Sequence, residues 1–455
     1  MYLHRYRIVL SSRPAMNERR AAAFLRERIQ LVCGKRLPMV TDETPPSDYE
    51  IVIGKTTREI SDGLKIDRAP DRLWEYEIRT VGSRTYLAGL GVPPEPDSSY
   101  TTAYKLLNDG AYGTVFAAYR FAEDVLRDPF LFSAYEEPPY LPDVEIAADY
   151  RVEYTKAALR AERPEPIEGA ALYSVQSSEI LNWNMGCTIL KTAQGKLIVI
   201  DGGHAADAEH ILSVIEQISA PEKPVVSAWF LTHLHEDHYG VFYRICKEPE
   251  LASRVTVERF CCHLLEKSFY TELSKEASAA NAEPLETLLG CENAVGAKLC
   301  VLQTGDAVDV DEMVVSVLHV PDMADAKNMN MNDSSVILKL QIAGKQSVLF
   351  LADAEWVCSN DLLKNHADQL PSDVVVVGHH GCGSVSRECY EKIGAKLCIW
   401  QVGNRFWYSD NGEGLNTHNV GVIRNRCILE ECGIRSSRFL RDTNRILALP
   451  LPIRI

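Results

Sequence analysis

Short apolar runs and helical periods alternate along the first third of the chain, a pattern typical of an α/β domain. The predicted strands are residues 6–10, 49–53 and 85–88, and the predicted helices are residues 17–33 and 114–126. Gly34 directly follows the first of these helices, at the position where glycine often ends a helix. The pattern therefore predicts a small α/β domain over residues 1–160.

The pattern changes at residues 161–169. This segment reads AERPEPIEG, and its two prolines and four charged residues predict a stiff, solvated linker. Beyond it, the predicted strands are residues 171–175, 186–192, 196–200 and 225–231, and residues 207–218 show the apolar face of a helix. Residues 170–455 are therefore predicted to form a second, larger domain of mixed strands and helices.

Composition and charge narrow the class of protein. The 455 residues include 48 Lys and Arg against 63 Asp and Glu, a net charge of −15, and they contain no basic tract, so we expect no extended nucleic acid as a partner. Apolar runs are shorter than the ~18 residues of a membrane span, and charges interrupt the first one, unlike in a secretory signal. The 13 cysteines form no CxxC pair, which predicts free thiols in the cytoplasm. The sequence leaves the oligomeric state open.

The strongest chemical signal is the segment 232–240, THLHEDHYG, directly after the strand predicted at 225–231. Three imidazoles and two carboxylates within six residues would each need a polar partner if buried. A divalent cation such as Zn²⁺ supplies such partners. The alternate spacing of His233 and His235 lets both reach one ion, while Asp237 and His238 turn toward a second site.

This segment matches the HxHxDH signature of the metallo-β-lactamase superfamily, and other marks of that superfamily occur in order. Asp201 ends a strand in KLIVIDGG, Asp353 ends one in VLFLADAE, and His379 and His380 follow the valines of DVVVVGHHG. The resemblance implies that residues 170–455 adopt the αββα sandwich of that superfamily. The predicted fold class is thus α/β, with the sandwich preceded by a small α/β accessory domain.

Each of the two predicted domains also resembles a more specific kind of domain. The segments VSVLHVPDMADAKNMNMNDSSVILKL and SDVVVVGHHGCGSVS resemble the hydrolase domain of DNA-uptake competence proteins, with Cys382 where serine is usual and Ala352 where glycine is usual. The N-terminal segments YEIVIGKTTRE, RTYLAGLG and YGTVFAAYRFAEDVL resemble the α/β accessory domain of some glycosidases. The GKTT segment lacks the glycine spacing of a phosphate-binding loop, so it is interpreted as a turn.

The superfamily resemblance implies a set of metal ligands. These are His233 and His235 for metal one, Asp237 and His238 for metal two, and Asp353 as the bridge between them. Strand alternation would put the side chains of His379 and His380 on opposite faces, so one of them is expected to complete metal two. We favour His379, which is nearer the strand end, and leave His380 to meet the substrate.

The third ligand of metal one stays open. His263 and His319 lie between the HxHxDH turn and Asp353, and the remaining alternative is two imidazoles with Asp353 and water. Asp201 is predicted to orient a ligand and hold its tautomer.

Two further histidines have predicted places outside the ligand set. His204 is expected to be a surface residue of a turn. His418 is either a substrate-facing catalytic residue or the entry residue of a helix.

The implied chemistry is metal-dependent hydrolysis. Two divalent ions, most simply Zn²⁺ but with Mn²⁺ or Fe as alternatives, would lower the pKa of a bridging water, and the hydroxide would attack an electrophilic phosphorus or carbonyl. We expect a phosphodiester or other phosphoester, small or a short oligomer, as substrate. The alternatives are a lactone, lactam, amide or thioester, or an inactive binding or scaffold protein. Residues 321–332 form either a surface loop or a lid over the site.

Overall fold

A computed structural model describes residues 2–91, 112–128, 139–178, 184–273, 278–408, 420–434, 436–439 and 446–455. It divides into two compact units. The first comprises Met1–Leu159 with Trp407–Asn419, and the second comprises Arg160–Phe406 with Val420–Ile455. The separation of two domains by a linker at 161–169 stays a prediction.

The first unit is built on one mixed sheet. Its strands are β1 (Arg7–Leu10), β2 (Met39–Thr41), β3 (Glu50–Ile53), β4 (Tyr76–Val81), β5 (Arg84–Gly89) and β6 (Arg151–Tyr154). They lie in the order β2-β1-β3-β5-β4-β6, and β4 is antiparallel to both its neighbours. The helices are α1 (Met16–Cys33), α2 (Thr57–Ser61) and α3 (Gly113–Leu126), and a fourth helix, α4 (Lys156–Ala161), begins in this unit and ends in the second. The predicted helix end at Gly34 is confirmed, because Gly34 adopts the left-handed conformation there with φ of 70°.

The second unit contains two sheets. The strands of the first sheet are β7 (Ala171–Val175), β8 (Cys187–Lys191), β9 (Leu197–Asp201), β10 (Val225–Leu231), β11 (Thr256–Val257), β12 (Arg259–Cys262), β13 (Lys298–Val301) and β21 (Ile446–Pro450). The strands of the second are β14 (Ala307–Val310), β15 (Met313–His319), β16 (Ile337–Ile342), β17 (Gln346–Phe350), β18 (Val374–Val376), β19 (Leu397–Trp400) and β20 (Ser436–Phe439). The apolar runs at 171–175 and 225–231 are therefore confirmed as strands.

Helices follow the strands of both sheets. They are α5 (Ala208–Ser219), α6 (Glu236–Lys247), α7 (Pro249–Ala252), α8 (Lys267–Leu273), α9 (Ser278–Leu289), α10 (Cys291–Val295), α11 (Trp356–Asn365), α12 (Arg387–Ile393), α13 (Asn404–Trp407) and α14 (Val420–Glu431). Among the helices of the described ranges, none has the length and hydropathy that a membrane crossing requires.

The core of the second unit has the layers of an αββα sandwich. One apolar cluster joins side chains of both sheets, such as Ile198 and Phe230 with Val315 and Leu340. A second cluster joins the outer face of the first sheet to the apolar faces of α5 and α6. On the second sheet, Leu349 is buried although its neighbours along the strand belong to the layer between the sheets, so both faces of this sheet are covered. The predicted fold class is confirmed.

Candidate metal centre

Polar side chains gather where the central strands of the two sheets end. Strand β9 ends at Asp201, and β10 ends one residue before Thr232. In the second sheet, β17 ends three residues before Asp353, and β18 ends shortly before the turn Gly378–Gly381. The carboxyl ends of parallel strands lie at one edge of a sheet, so both sheets present their polar termini to one place.

The first ligand group consists of His233, His235 and Asp353. His233 Nε2 lies 3.0 Å from His235 Nδ1 and 3.6 Å from Asp353 Oδ2. His233 is fully buried, and Thr232 Oγ1 lies 3.1 Å from its Nδ1. Ligand atoms of two imidazoles and one carboxylate thus converge on one point, as a divalent cation requires.

The second group consists of Asp237, His238 and His380. Asp237 and His238 lie in the first turn of α6, which brings them to the same side as His380. His380 Nε2 lies 3.4 Å from Asp237 Oδ2 and 3.2 Å from His238 Nε2. Asp353 Oδ1 lies 3.3 Å from His238 Nε2 and 3.4 Å from His380 Nε2, so Asp353 is shared by both groups.

The hydrogen-bond partners of the buried imidazoles of His238 and His380 show why this arrangement fits a cation. His380 Nδ1 lies 2.8 Å from the carbonyl oxygen of Gln401, which only accepts, so this nitrogen carries the proton. His238 Nδ1 lies 2.8 Å from Asp201 Oδ2 in the same way. Each ring therefore keeps a lone pair on its Nε2 atom, and the lone pairs of the two rings point toward each other. Asp353 Oδ1 beside them is buried without a hydrogen-bond donor among the described residues. Such orphaned acceptors require a cation, either a proton or a metal ion.

Asp201 lies beside Thr232 and His238. Its carboxylate accepts from the backbone N–H of Thr232 at 2.9 Å and contacts the Thr232 hydroxyl at 2.9 and 3.0 Å. The same carboxylate orients His238 and lies outside both ligand groups. It therefore holds a tautomer rather than a cation.

The charges of the site reinforce the demand for a cation. Burial opposes protonation of His238, but Asp353, Asp201 and Asp237 outweigh it and raise the pKa of this imidazole well above its usual value. Burial also opposes ionisation of Asp353, yet the neighbouring imidazoles, His238 first, hold its pKa well below the ordinary range. Burial and the nearby His238 lower the pKa of His233, which keeps this ring in the neutral, ligating form.

His379 and His380 are brought to different places. Both lie in the turn Gly378–Gly381 with left-handed φ angles of 46° and 53°, so the alternation of a strand does not apply to them. The structure brings His380 to Asp237 and His238, whereas sequence analysis favoured His379. His379 Nε2 lies 3.9 Å from Asp353 Oδ2, and its Nδ1 lies 2.6 Å from Glu355 Oε1. His379 thus stands beside the centre, on the side of metal one.

The two histidines considered for metal one lie elsewhere. His263 is half-buried, and its Nδ1 lies 2.8 Å from the carbonyl of Leu302. His319 ends β15, and its Nδ1 lies 2.8 Å from Asp361 Oδ2. Neither joins the ligand group around His233.

The prediction that His204 is a surface residue was wrong. The residue is 5% exposed, with Nε2 3.0 Å from the Asn184 carbonyl and Nδ1 3.6 Å from Glu236 Oε2. The only sign in the sequence that this residue is buried was the apolar strand that precedes it. His418 lies outside the described residues.

The residues 321–332 reach the centre at their C-terminal end. The amides of Asn330 and Asn332 donate to Glu355 at 2.8 and 3.0 Å, and Met329 is 5% exposed. A lid over the site stays a prediction.

Gly186 is a site residue that sequence reasoning missed. A Cβ at this position would lie 2.6 Å from the Nδ1 and Cε1 atoms of His238. Only glycine allows this close approach of the backbone to the ring. The signal was a lone glycine at the start of a predicted strand, which by itself indicates nothing about its distant partner.

Comparison with known proteins agrees with this geometry. Residues 187–272 match the family model described as the metallo-beta-lactamase superfamily. This segment begins at β8 and includes the HxHxDH turn. No curated protein matches the chain in sequence.

Three solved structures resemble the chain at low identity. They are CmlA, a diiron β-hydroxylase from Streptomyces venezuelae (12% identity, TM-score 0.39, covering 63% of this chain and 55% of that one), the metallo-β-lactamase fold protein YhfI from Bacillus subtilis (11%, 0.34, 61% and 99%) and unliganded yeast PDE1 (12%, 0.35, 60% and 97%). This chain therefore spans about half the length of CmlA.

The fold, the family match and the ligand groups define the class of the second unit. Its segment 187–272 matches the metallo-β-lactamase superfamily, and its two ligand groups lie where the superfamily resemblance places a metal centre. The finer resemblances to competence hydrolases and to a glycosidase accessory domain stay predictions.

Proposed function

We propose that the second unit hydrolyses phosphodiesters or other phosphoesters with the help of two divalent cations, zinc in the first place. The observation that carries this proposal is the pair of ligand groups joined by one buried carboxylate, Asp353. His233 and His235 would hold one cation with Asp353, and Asp237, His238 and His380 would hold the other with the same residue. Cations held there supply an activated water and stabilise the negative charge that develops during ester cleavage.

The chain itself prepares this site before any substrate arrives. Asp201 and the Gln401 carbonyl hold the Nδ1 protons of His238 and His380, so in each ring Nε2 is the atom left for a cation. Burial of these imidazoles and of Asp353 excludes bulk water, which strengthens electrostatic contacts at the centre. His380 is assigned here to a cation, and His379 is the imidazole left to meet the substrate.

Groups beside the shared carboxylate support a phosphoester as substrate. The imidazole of His379 and the amide of Asn332 lie 3.5 Å apart, and Glu355 contacts both. Polar groups of this kind suit the several oxygens of a phosphoester, whereas a lactone or lactam presents one carbonyl oxygen. The net charge of −15 supports a small or short oligomeric ester over an extended nucleic acid. The 13 cysteines, all of which lie in the described part of the chain, form no disulfide bond, which supports a reducing, cytoplasmic setting.

The test is turnover of a matched substrate panel by protein loaded with Zn²⁺, Mn²⁺ or Fe²⁺. We expect kcat/KM for bis(p-nitrophenyl) phosphate to exceed that for a nitrophenyl ester, a homoserine lactone and a β-lactam. The variant Asp237→Ala should lose the activity, and His263→Gln, which changes a histidine outside both ligand groups, should keep it. Preference for the lactone or lactam would overturn the phosphoester assignment. Two bound metals without turnover of any ester would instead support a binding protein.

A further inference from the structure

A third histidine–carboxylate group lies in the second unit, apart from the two that share Asp353. It consists of His319, Asp361 and His366, each of which offers one ligand atom within 4.8 Å of the others. His319 ends β15, Asp361 lies in α11, and His366 is the residue after that helix. The three side chains therefore meet between a strand end and a helix end, and none of them serves the proposed hydrolysis.

The distances in this group suit a metal ion. Asp361 Oδ2 lies 2.8 Å from His319 Nδ1 and 3.6 Å from His366 Nε2. Ligand atoms around tetrahedral Zn²⁺ at ~2.0–2.1 Å stand roughly 3.3 Å from one another, so the observed separations lie on both sides of that value. The 3.6 Å separation is too long for a hydrogen bond, so a hydrogen-bonded pair of His319 and Asp361 does not account for the position of the His366 imidazole.

Burial shapes the group as a pocket for one ion. His319 is 8% exposed, and the side chains of His366 and Asp361 are 13% and 28% exposed. His366 Nδ1 is buried without a hydrogen-bond partner in the part of the chain that the structure describes, so the ring makes its polar contact through Nε2, which faces Asp361.

We propose that His319, Asp361 and His366 form a separate binding site for one divalent cation of the zinc class. Two imidazoles and one carboxylate are ligands that Zn²⁺ accepts, and the exposed side of Asp361 leaves room for water as a further ligand. An ion there would tie the end of β15 to α11. Because α11 begins three residues after Asp353, the ion would anchor the segment that carries the shared carboxylate.

The experiment counts metal ions in matched variants. The full chain and the variants His366→Gln, Asp361→Asn and His263→Gln are freed of metal, supplied with a small excess of Zn²⁺, separated from unbound metal and analysed for zinc. We expect His366→Gln and Asp361→Asn each to hold about one ion per chain fewer than the parent, and His263→Gln to hold as many as the parent. In a titration, the dissociation constant of that ion should rise by at least about tenfold. Loss of a residue that only hydrogen-bonds a metal ligand already weakens binding by about tenfold or more, and these variants remove the ligand itself.

The readout separates this proposal from the proposed function. A parent content of three ions falling to two supports both, and a content of one falling to none supports this site while rejecting the dimetal centre. Equal zinc content in the parent and in Asp361→Asn overturns this site, whatever the parent content is. Asp361→Asn preserves shape, so it decides the matter if thermal melting of the metal-free His366→Gln variant shows that it folds poorly.

Discussion

Each unit buries a charged cluster, and the two clusters are balanced in opposite ways. In the first unit, the fully buried Glu50 accepts from the Nε atoms of Arg7, Arg58 and Arg84 at 3.0, 2.9 and 2.9 Å. In the second, the 2% exposed Asp353 faces imidazole nitrogens, and its Oδ1 has no hydrogen-bond donor among the described residues. The first carboxylate is satisfied by the chain itself, whereas the second requires a cation from solution.

The pKa directions agree while their causes differ. Burial alone would raise the pKa of Glu50, but the hydrogen bonds from Arg7 and Arg58 lower it below its usual value. Permanent guanidinium charges keep Glu50 ionised at any ordinary pH. The pKa of Asp353 is held low by imidazoles, which themselves gain or lose a proton or bind a metal. The same lowering of a carboxylate pKa therefore indicates a structural ion-pair network in the first unit and a site for an exchangeable cation in the second.

The largest effect is expected when the shared carboxylate is removed. Asp353→Asn should lower kcat/KM by on the order of 10³-fold or more, equivalent to ~4 kcal/mol, because both cations lose a ligand. Zinc content should fall at the same time, as measured by elemental analysis. The exposed Asp309→Asn, in β14, is the matched control and should change neither quantity. Full activity of Asp353→Asn would mean that the buried carboxylate has only a structural role.

For Glu50→Gln we expect a loss of stability without a loss of metal or activity. The substitution leaves three arginines beside a neutral amide, and breaking a buried ion pair costs about 3–5 kcal/mol. Denaturant unfolding should show this loss, while zinc content and activity per folded chain stay at the parent level. An unchanged unfolding free energy would show that Arg7, Arg58 and Arg84 are satisfied by their other partners.

What the sequence could predict follows from how local each feature is. The HxHxDH ligands lie within six residues beyond one apolar strand, so their type and spacing were visible together. The strands Ala171–Val175 and Val225–Leu231 were predicted to the residue, and each is followed directly by a polar residue, Gln176 or Thr232.

Features that depend on contacts across the chain could not be predicted in this way. The choice between His379 and His380 depends on two consecutive left-handed residues and on the carbonyl of Gln401, which no periodicity encodes. His319 was considered for metal one because of its place in the sequence, yet its partner Asp361 lies 42 residues away. Pairings of this kind arise from tertiary packing.

A smaller effect is expected from Gly186→Ala, which disturbs the second cluster without removing a ligand. The added methyl group would meet the His238 ring at 2.6 Å and push it from its place between Asp201 and His380. A displacement of about 1 Å at a catalytic group costs roughly 10²-fold in rate, so kcat/KM should fall by that order. Gly290→Ala is the control, because a Cβ there comes no closer than 3.2 Å to any neighbour. Equal activity of the two variants would show that the ring has room to move.

The smallest effect concerns a buried imidazole that has neither an arginine partner nor a shared cation. His210 in α5 is 5% exposed, and neither ring nitrogen has a hydrogen-bond partner among the described residues. Burial lowers its pKa to about 4, with Asp207 opposing the shift and Arg163 and Arg160 adding to it. Because this is below the unfolded value of ~6.5, the unfolded chain binds more protons between these two pH values, and stability falls as the pH falls through that window.

The loss due to His210 should therefore be absent above pH 7 and should reach about 1 kcal/mol at pH 5.5. Other groups titrate in the same range, so the measurement is the difference between the parent and His210→Leu in unfolding free energy at pH 7.5 and at pH 5.5. The variant should gain stability relative to the parent on acidification by that amount. A difference that does not change with pH would mean that the folded chain accommodates the protonated ring, through Asp207, the carboxylate that opposes the pKa shift. His210 would then resemble Glu50, a buried charge that the chain balances by itself.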